Sequence, residues 1–285
     1  MEESTLETAE LALEWYAGSE GYNPEFLGAH VDLPAPGPER GEDLAPLKDG
    51  SGHELRYTHF SVVMSKSRKL ALFTAVNVDG QELQELTRDR DAWYFDPRIE
   101  REYQMDPRVY KHPDLDRGHL VRRIDPVWGE QAEEANEDTF HFTNCSPQHK
   151  KLNRETWLGL ERYILDSAKA HDLKVTVFTG PVFRDDDKVY LDEFQVPAEF
   201  WKVVSMVKED GQLSSTAYLQ SQRDLISDLE AFGYGEYKTY QVPVAHIETL
   251  TGLDFGELRD HDPLMPTEER APQARAVEGP GDILL

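Results

Sequence analysis

At 285 residues the chain can hold one large α/β domain or two small ones, and either size buries a substantial core. Its formal charge of −25 argues against a general nucleic-acid binder, because phosphate affinity comes largely from lysine and arginine. The single cysteine, Cys145, excludes an internal disulfide and any multi-cysteine zinc site, and at the end of an apolar strand it reads as a buried residue rather than a nucleophile. Ser4-Thr5-Leu6-Glu7 has the capping-box pattern, and Leu6, Ala9 and Leu13 continue at helical spacing, which predicts an opening helix to about Tyr16. The first fifteen residues hold five glutamates and neither a basic n-region nor an apolar h-region. No later stretch is apolar for long enough to cross a bilayer, so the expectation is a soluble cytoplasmic protein without membrane contact, export by a signal-independent route being left open.

From Leu33 to Gly52, Pro34, Pro36, Gly37, Pro38, Gly41, Pro46, Gly50 and Gly52 predict an ordered loop or linker. Tyr57 to Ser65 and Lys69 to Val78 read as two strands joined by the hairpin loop Ser65-Lys66-Ser67-Arg68. Asp116-Arg117-Gly118-His119 reads as a strand, in which Arg117 and His119 point the same way while Gly118 lets another backbone or a ligand approach closely. A second strand runs from Phe140 to Gln148 and ends in a turn, the residues from Ser146 to Lys151 looking like loop. A helix then opens at Leu152-Asn153, with Trp157, Leu160, Ile164 and Ala168 at spacings of three and four. Val175 to Thr179 and Trp201 to Lys208 add strands, Asp224 to Phe232 and Val244 to Thr251 helices, and the prolines beyond Asp262 predict poor order. Helices and antiparallel strands without a βαβ repeat indicate an α+β fold with a central, mainly antiparallel sheet.

Strand, strand and helix carrying His119, Asn144, Asn153 and Glu161 resemble the ββα-metal catalytic unit, and the chain resembles the DNA/RNA non-specific endonuclease family. Further stretches fit that family in the expected order: His59-Phe60-Ser61-Val62-Val63, Thr74 to Gly80, Phe178-Thr179-Gly180-Pro181-Val182-Phe183 and Phe200-Trp201-Lys202-Val203-Val204. The last two suggest a turn and a core strand with no evident chemistry. The likeness implies three parts: an acidic N-terminal helix and Pro/Gly-rich linker over 1–54, an endonuclease domain over 55–265, and a poorly ordered tail over 266–285.

The resemblance implies a Mg²⁺-dependent hydrolase that cuts DNA and RNA to 5′-phosphate and 3′-hydroxyl ends, with Mn²⁺ as a substitute ion. His119 would be the general base, an imidazole being largely free to accept a proton near neutral pH. Asn153 would be the metal ligand, water completing most of an octahedral shell. Glu161, eight residues on and about 80° round the helix, would act through that water from an adjoining flank. Arg117 would contact phosphate, Asn144 would support the site, and Arg90, favoured over Arg88 by spacing, would be the upstream arginine. Asn153 also reads as a helix N-cap, Asn144 as a turn residue and Glu161 as a solvated partner of Lys150. His149 is read as a non-ligand. A family arginine one helical turn after the glutamate is replaced here by Leu165, leaving Arg154 or Arg162 as substitutes.

Charge is unevenly spread: residues 1 to 55 hold thirteen acidic and two basic residues, and residues 254 to 285 hold eight and three. Arg117, Arg122, Arg123, Lys150, Lys151, Arg154 and Arg162 surround the predicted site, so a basic cleft on an acidic body is expected. An acidic arm next to such a cleft could compete with phosphate, and an inhibitor or regulatory partner would serve the same restraint. Two other readings stay open at this point: a non-catalytic nucleic-acid-binding module on the same fold, and a small-molecule phosphodiesterase with a closed pocket.

Overall fold

The computed structural model describes residues 9–87, 92–153, 164, 168–169, 172–223, 238–265, 274–277 and 283–284. In chain order the strands are β1 (Ala35–Pro36), β2 (Glu54–Tyr57), β3 (Phe60–Ser65), β4 (Leu70–Asp79), β5 (Leu115–His119), β6 (Cys145–His149), β7 (Lys174–Val182), β8 (Lys188–Tyr190), β9 (Phe194–Val196), β10 (Glu199–Val207), β11 (Leu213–Ser221), β12 (Lys238–Val242), β13 (Leu253–Asp254) and β14 (Arg275–Ala276). The described α-helices are α1 (Pro38–Gly41), α2 (Ala132–Asp138) and α3 (Val244–Thr251).

Eight of these strands form one antiparallel sheet in the order β14-β12-β11-β10-β7-β4-β3-β2. Every residue of β4 is buried, as expected for a central strand covered on both faces. Phe178, Trp201, Val203 and Ala217 look toward one apolar cluster with Ile247 of α3 and Phe255. Val177, Phe200, Val204 and Tyr218 look toward the other, which includes Leu120 and Leu152. Leu120 and Leu152, which follow the β5–β6 pair on either strand, pack on the second face, while Leu115 of β5 joins the first cluster. The fold is the expected α+β arrangement around a mainly antiparallel sheet, and α3 occupies the residues predicted for it. Among the described residues no helix is long and apolar enough to cross a membrane.

Several local expectations are corrected. The strand predicted from Tyr57 to Ser65 is broken by a turn at Thr58-His59, where His59 takes a positive φ of 66°. Residues 9–12 are not helical, and the N-terminal segment instead makes a 3₁₀ turn over Leu13–Gly18. Phe142–Asn144 is also a 3₁₀ turn, so the strand predicted over Phe140–Gln148 is confined to its end, Cys145–His149, and runs through residues from Ser146 on that had looked like loop. Strand β11 is not evident in the sequence. The helix predicted over Asp224 to Phe232 lies outside the described residues, as does residue 90 and most of the helix beyond Asn153.

The proline- and glycine-rich stretch is ordered by backbone bonds: Gly37 N–H to the Gly252 carbonyl (2.8 Å), Ala45 to Met64 (2.9 Å) and Lys48 to Arg98 (2.9 Å). Tyr16, Tyr22, Val31 and Ala45 are all buried, so residues 9–54 pack on the same body as the sheet. The described part of the tail also pairs, Arg275–Ala276 with Tyr240 and Gln241 of β12.

Candidate active site

β5 and β6 pair antiparallel, with His119 opposite Cys145, Gly118 opposite Ser146 and Asp116 opposite Gln148. The alternation of a strand puts Arg117 and His119 on one face, and both approach Trp93. The His119 ring lies 4.9 Å from Trp93 and 5.2 Å, edge-on, from Phe140, so two aromatic walls fix its plane. The Arg117 guanidinium is 6.0, 5.8 and 5.7 Å from the rings of Trp93, Tyr110 and Phe142. Cation–π attraction holds the guanidinium against this aromatic cluster. Both residues are only partly buried, which suits groups that meet a ligand.

Gly118 has a specific steric reason. A Cβ there would lie 2.0 Å from Oε1 and 2.2 Å from Cδ of Gln148. What approaches closely at Gly118 is thus the Gln148 side chain.

Residues 150–153 begin a helical turn after β6, and Asn153 Nδ2 donates to Asp116 Oδ2 at 3.1 Å. That bond ties the helix opening to the strand and fixes which way the amide faces, so the Asn153 carbonyl oxygen is directed away from Asp116. Among the described residues there is no group of three or more His, Cys, Asp or Glu that could hold a metal ion. An amide oxygen with a carboxylate behind it nevertheless fits a hard, oxygen-seeking cation that keeps most of its own water.

Asn144 is fully buried and spent on the backbone. Its Oδ1 accepts from Val121 N–H (2.9 Å), while Nδ2 donates to the carbonyls of Val121 and Thr139 (both 3.0 Å). It positions the chain that leaves His119. Burial pushes the Cys145 thiol up to about 12, outweighing the Tyr110 hydrogen bond and the Arg117 charge, so a thiolate nucleophile is not available at neutral pH. His149 Nδ1 accepts from Lys151 N–H (3.2 Å), and burial lowers its pKa. Arg123 donates to Asn136 Oδ1 (2.8 Å) and to the Leu86 carbonyl (3.4 Å). Glu161, Arg90, Arg154 and Arg162 lie outside the described residues. Sequence reasoning overlooked the aromatic walls and the Asp116–Asn153 bond. Asp116 stood in the motif itself, but nothing local says that its partner comes from the next element.

The family model of the DNA/RNA non-specific endonucleases matches residues 45–261. An uncharacterized protein of Sinorhizobium fredii, y4fB, is 39% identical over 264 residues, covering 85% of this chain and 40% of that protein. Human mitochondrial endonuclease G is 30% identical over 159 residues, covering 51% of this chain and 50% of its own length. The chain thus spans half or less of these two relatives. Among solved structures, an EndoG/EndoGI complex described as revealing the mechanism of EndoG inhibition superposes with a TM-score of 0.57 at 22% identity, covering 72% of this chain and 86% of that one. At that identity it is evidence of a shared fold.

Proposed function

Because the chain belongs to the DNA/RNA non-specific endonuclease family, we propose that it hydrolyses phosphodiester bonds of DNA and RNA, leaving 5′-phosphate and 3′-hydroxyl ends. The observation that carries this reading is the junction of β5 with the next helix: His119 between Trp93 and Phe140, and Asn153 bonded to Asp116. His119 takes the proton from the attacking water, its ring plane held by the two aromatic walls. Arg117 binds the phosphate and offsets its charge. Asn153 would hold Mg²⁺, or Mn²⁺ in its place, through the amide oxygen that Asp116 orients. Bound there, the cation would supply Lewis-acid stabilisation of the charge that develops during hydrolysis. Glu161 and Arg90 keep the supporting roles that the resemblance implies. Nothing in this set reads a 2′-hydroxyl, which supports action on both nucleic acids. A protein inhibitor belongs to the same proposal, supported by the structural neighbour solved in an inhibitor complex.

The test is incubation of purified protein with supercoiled plasmid and with RNA, each in Mg²⁺ and in EDTA, beside His119→Ala. Cleavage of both substrates is expected only with the metal. His119→Ala should fold and bind but cut at least about 100-fold more slowly, the lower end of what a positioned general base contributes. Near-wild-type turnover in that variant removes His119 as the base.

A further inference from the structure

Pairing of the catalytic strand stops at His119, and the next two residues run into the core, Leu120 and Val121 being 0% and 1% exposed. Four backbone polar groups must therefore find partners away from water. Asn144 supplies three. Its carbonyl accepts from Leu120 N–H (2.9 Å), and its side chain bonds both N–H and C=O of Val121 (2.9 and 3.0 Å). The fourth group, the Leu120 carbonyl, faces the Lys202 ammonium at 3.5 Å.

Lys202 stands in β10, is 1% exposed, and lies opposite Thr179 of β7, whose hydroxyl accepts from Nζ at 3.0 Å. It shares its sheet face with Phe200, Val204 and Val177 of the second apolar cluster. Burying an ammonium there is costly, and a methionine would fill similar space without that cost. The retained charge points to a task for the charge. In a low-dielectric core a cation acts strongly on a carbonyl dipole, even at a separation long for a hydrogen bond.

We propose that Lys202 is a positioning residue for His119: its buried ammonium fixes the Leu120 carbonyl, and with it the peptide that follows the general base. The Phe-Trp-Lys stretch is then more than a core strand. It anchors the catalytic strand to the central sheet from below, while Asn144 grips it from the side. This inference rests on His119 being the base. Small displacements of a catalytic group carry large rate penalties, so a loosened peptide at Leu120 reads out in turnover.

The experiment measures kcat and KM for a short duplex, with thermal melts, in Lys202→Met, Lys202→Arg, Thr179→Val and His119→Ala. Lys202→Met should lower kcat about tenfold or more at little-changed KM. Lys202→Arg, which keeps a cationic donor toward Leu120, should recover much of the loss. A purely structural lysine would lower the melting temperature and leave kcat of the folded protein unchanged, which overturns the inference. Folded Lys202→Arg as impaired as Lys202→Met overturns it as well. If Lys202→Met does not fold, Thr179→Val removes the other anchor while keeping the charge; a kcat drop of about threefold or more supports the inference and an unchanged kcat refutes it. An inactive His119→Ala beside a fully active Lys202→Met removes this inference alone. An active His119→Ala removes the assignment of the base and this inference with it.

Discussion

Asp116 is the residue whose chemistry the fold changes most. In sequence it is the acidic neighbour of Arg117, yet its carboxylate accepts from Asn153, 37 residues later. A carboxylate that orients a metal ligand acts on affinity, typically by about 10- to 100-fold when removed. Asp116→Ala should therefore raise the Mg²⁺ concentration for half-maximal cleavage about tenfold, with DNA binding in EDTA unchanged. Asn153→Ala should lower the maximal rate as well, because it removes the proposed ligand itself. Initial rates across a Mg²⁺ titration check both. A wild-type half-saturation in Asp116→Ala would reduce the bond to a mechanical tether.

Between elements, the β5–β6 pair depends on one missing methyl group. A Cβ at residue 118 would overlap the side chain of Gln148, which is fully buried. Gly118→Ala should cost about 1–3 kcal/mol, the usual range for overpacking. Adding Gln148→Ala should return part of that loss, because the two positions share one space, giving a coupling of about 0.5 kcal/mol or more. Urea denaturation of the four proteins gives the cycle, and strictly additive losses would show that the overlap is not the cause. The same region shows what the sequence could and could not reveal. Alternation makes the shared face of Arg117 and His119 readable, and Val244 to Thr251 is readable by helical spacing. The bounds of Cys145–His149, which lies largely inside the predicted Phe140–Gln148 strand, are hidden because Ser146, Pro147 and Gln148 carry no apolar alternation; all three are buried, and Gln222 bonds the Pro147 carbonyl (3.3 Å) and the His149 N–H (2.7 Å). Phe140 and Phe142 imitate a strand, but they are anchors of the aromatic cluster around a 3₁₀ turn. β11 stays hidden for a related reason: Ser214, Ser215, Thr216 and Gln220 are buried polar residues paired to β10, and Gln220 to β12 as well.

Across the whole molecule, the N-terminal segment is part of the scaffold of the site. Phe95 N–H bonds the Ala9 carbonyl (3.0 Å), Trp15 Nε1 donates to Asp138 Oδ1 (2.7 Å), and Tyr16 OH meets His141 Nε2 (2.7 Å). Ala35 and Pro36 pair with Asp254 and Leu253 near the far end of the chain. From Ala9 onward its acidic charge is held on the body, so an arm sweeping into a basic cleft does not fit this packing. The segment bears instead on His141, four residues before the strand that pairs with His119; the His141 carbonyl accepts from Asn144 N–H (2.9 Å).

That contact makes the molecule acid-sensitive in a defined window. The Asp138 carbonyl can only accept, so His141 Nδ1 carries the proton (2.8 Å) and Nε2 accepts from Tyr16: the ring is bonded as a neutral tautomer. Burial lowers its pKa below the ordinary value, outweighing the nearby carboxylates of Asp96 and Asp138. A folded-state pKa below the unfolded one means that the unfolded chain binds more protons in acid. The associated stability is fully present above about pH 6.5 and is lost as pH falls toward the folded value. Asp96 loses its contribution only at lower pH: burial raises its pKa, but the hydrogen bonds and charge of Arg98 more than reverse this and leave it depressed. His59 and His149 shift in the same direction as His141, so wild-type melts alone do not isolate the contact. Tyr16→Phe does. It leaves Nε2 without its donor, which should cost about 1–3 kcal/mol at pH 7.5. It also removes a bond that favours the neutral ring, so the folded pKa of His141 moves back toward its unfolded value and the pH dependence weakens. Thermal melts of both proteins from pH 7.5 to pH 5 should show Tyr16→Phe less stable at the top of the range and the gap narrowing toward the bottom. A gap that is constant across the range would mean that Tyr16 stabilises the fold without acting through the protonation of His141.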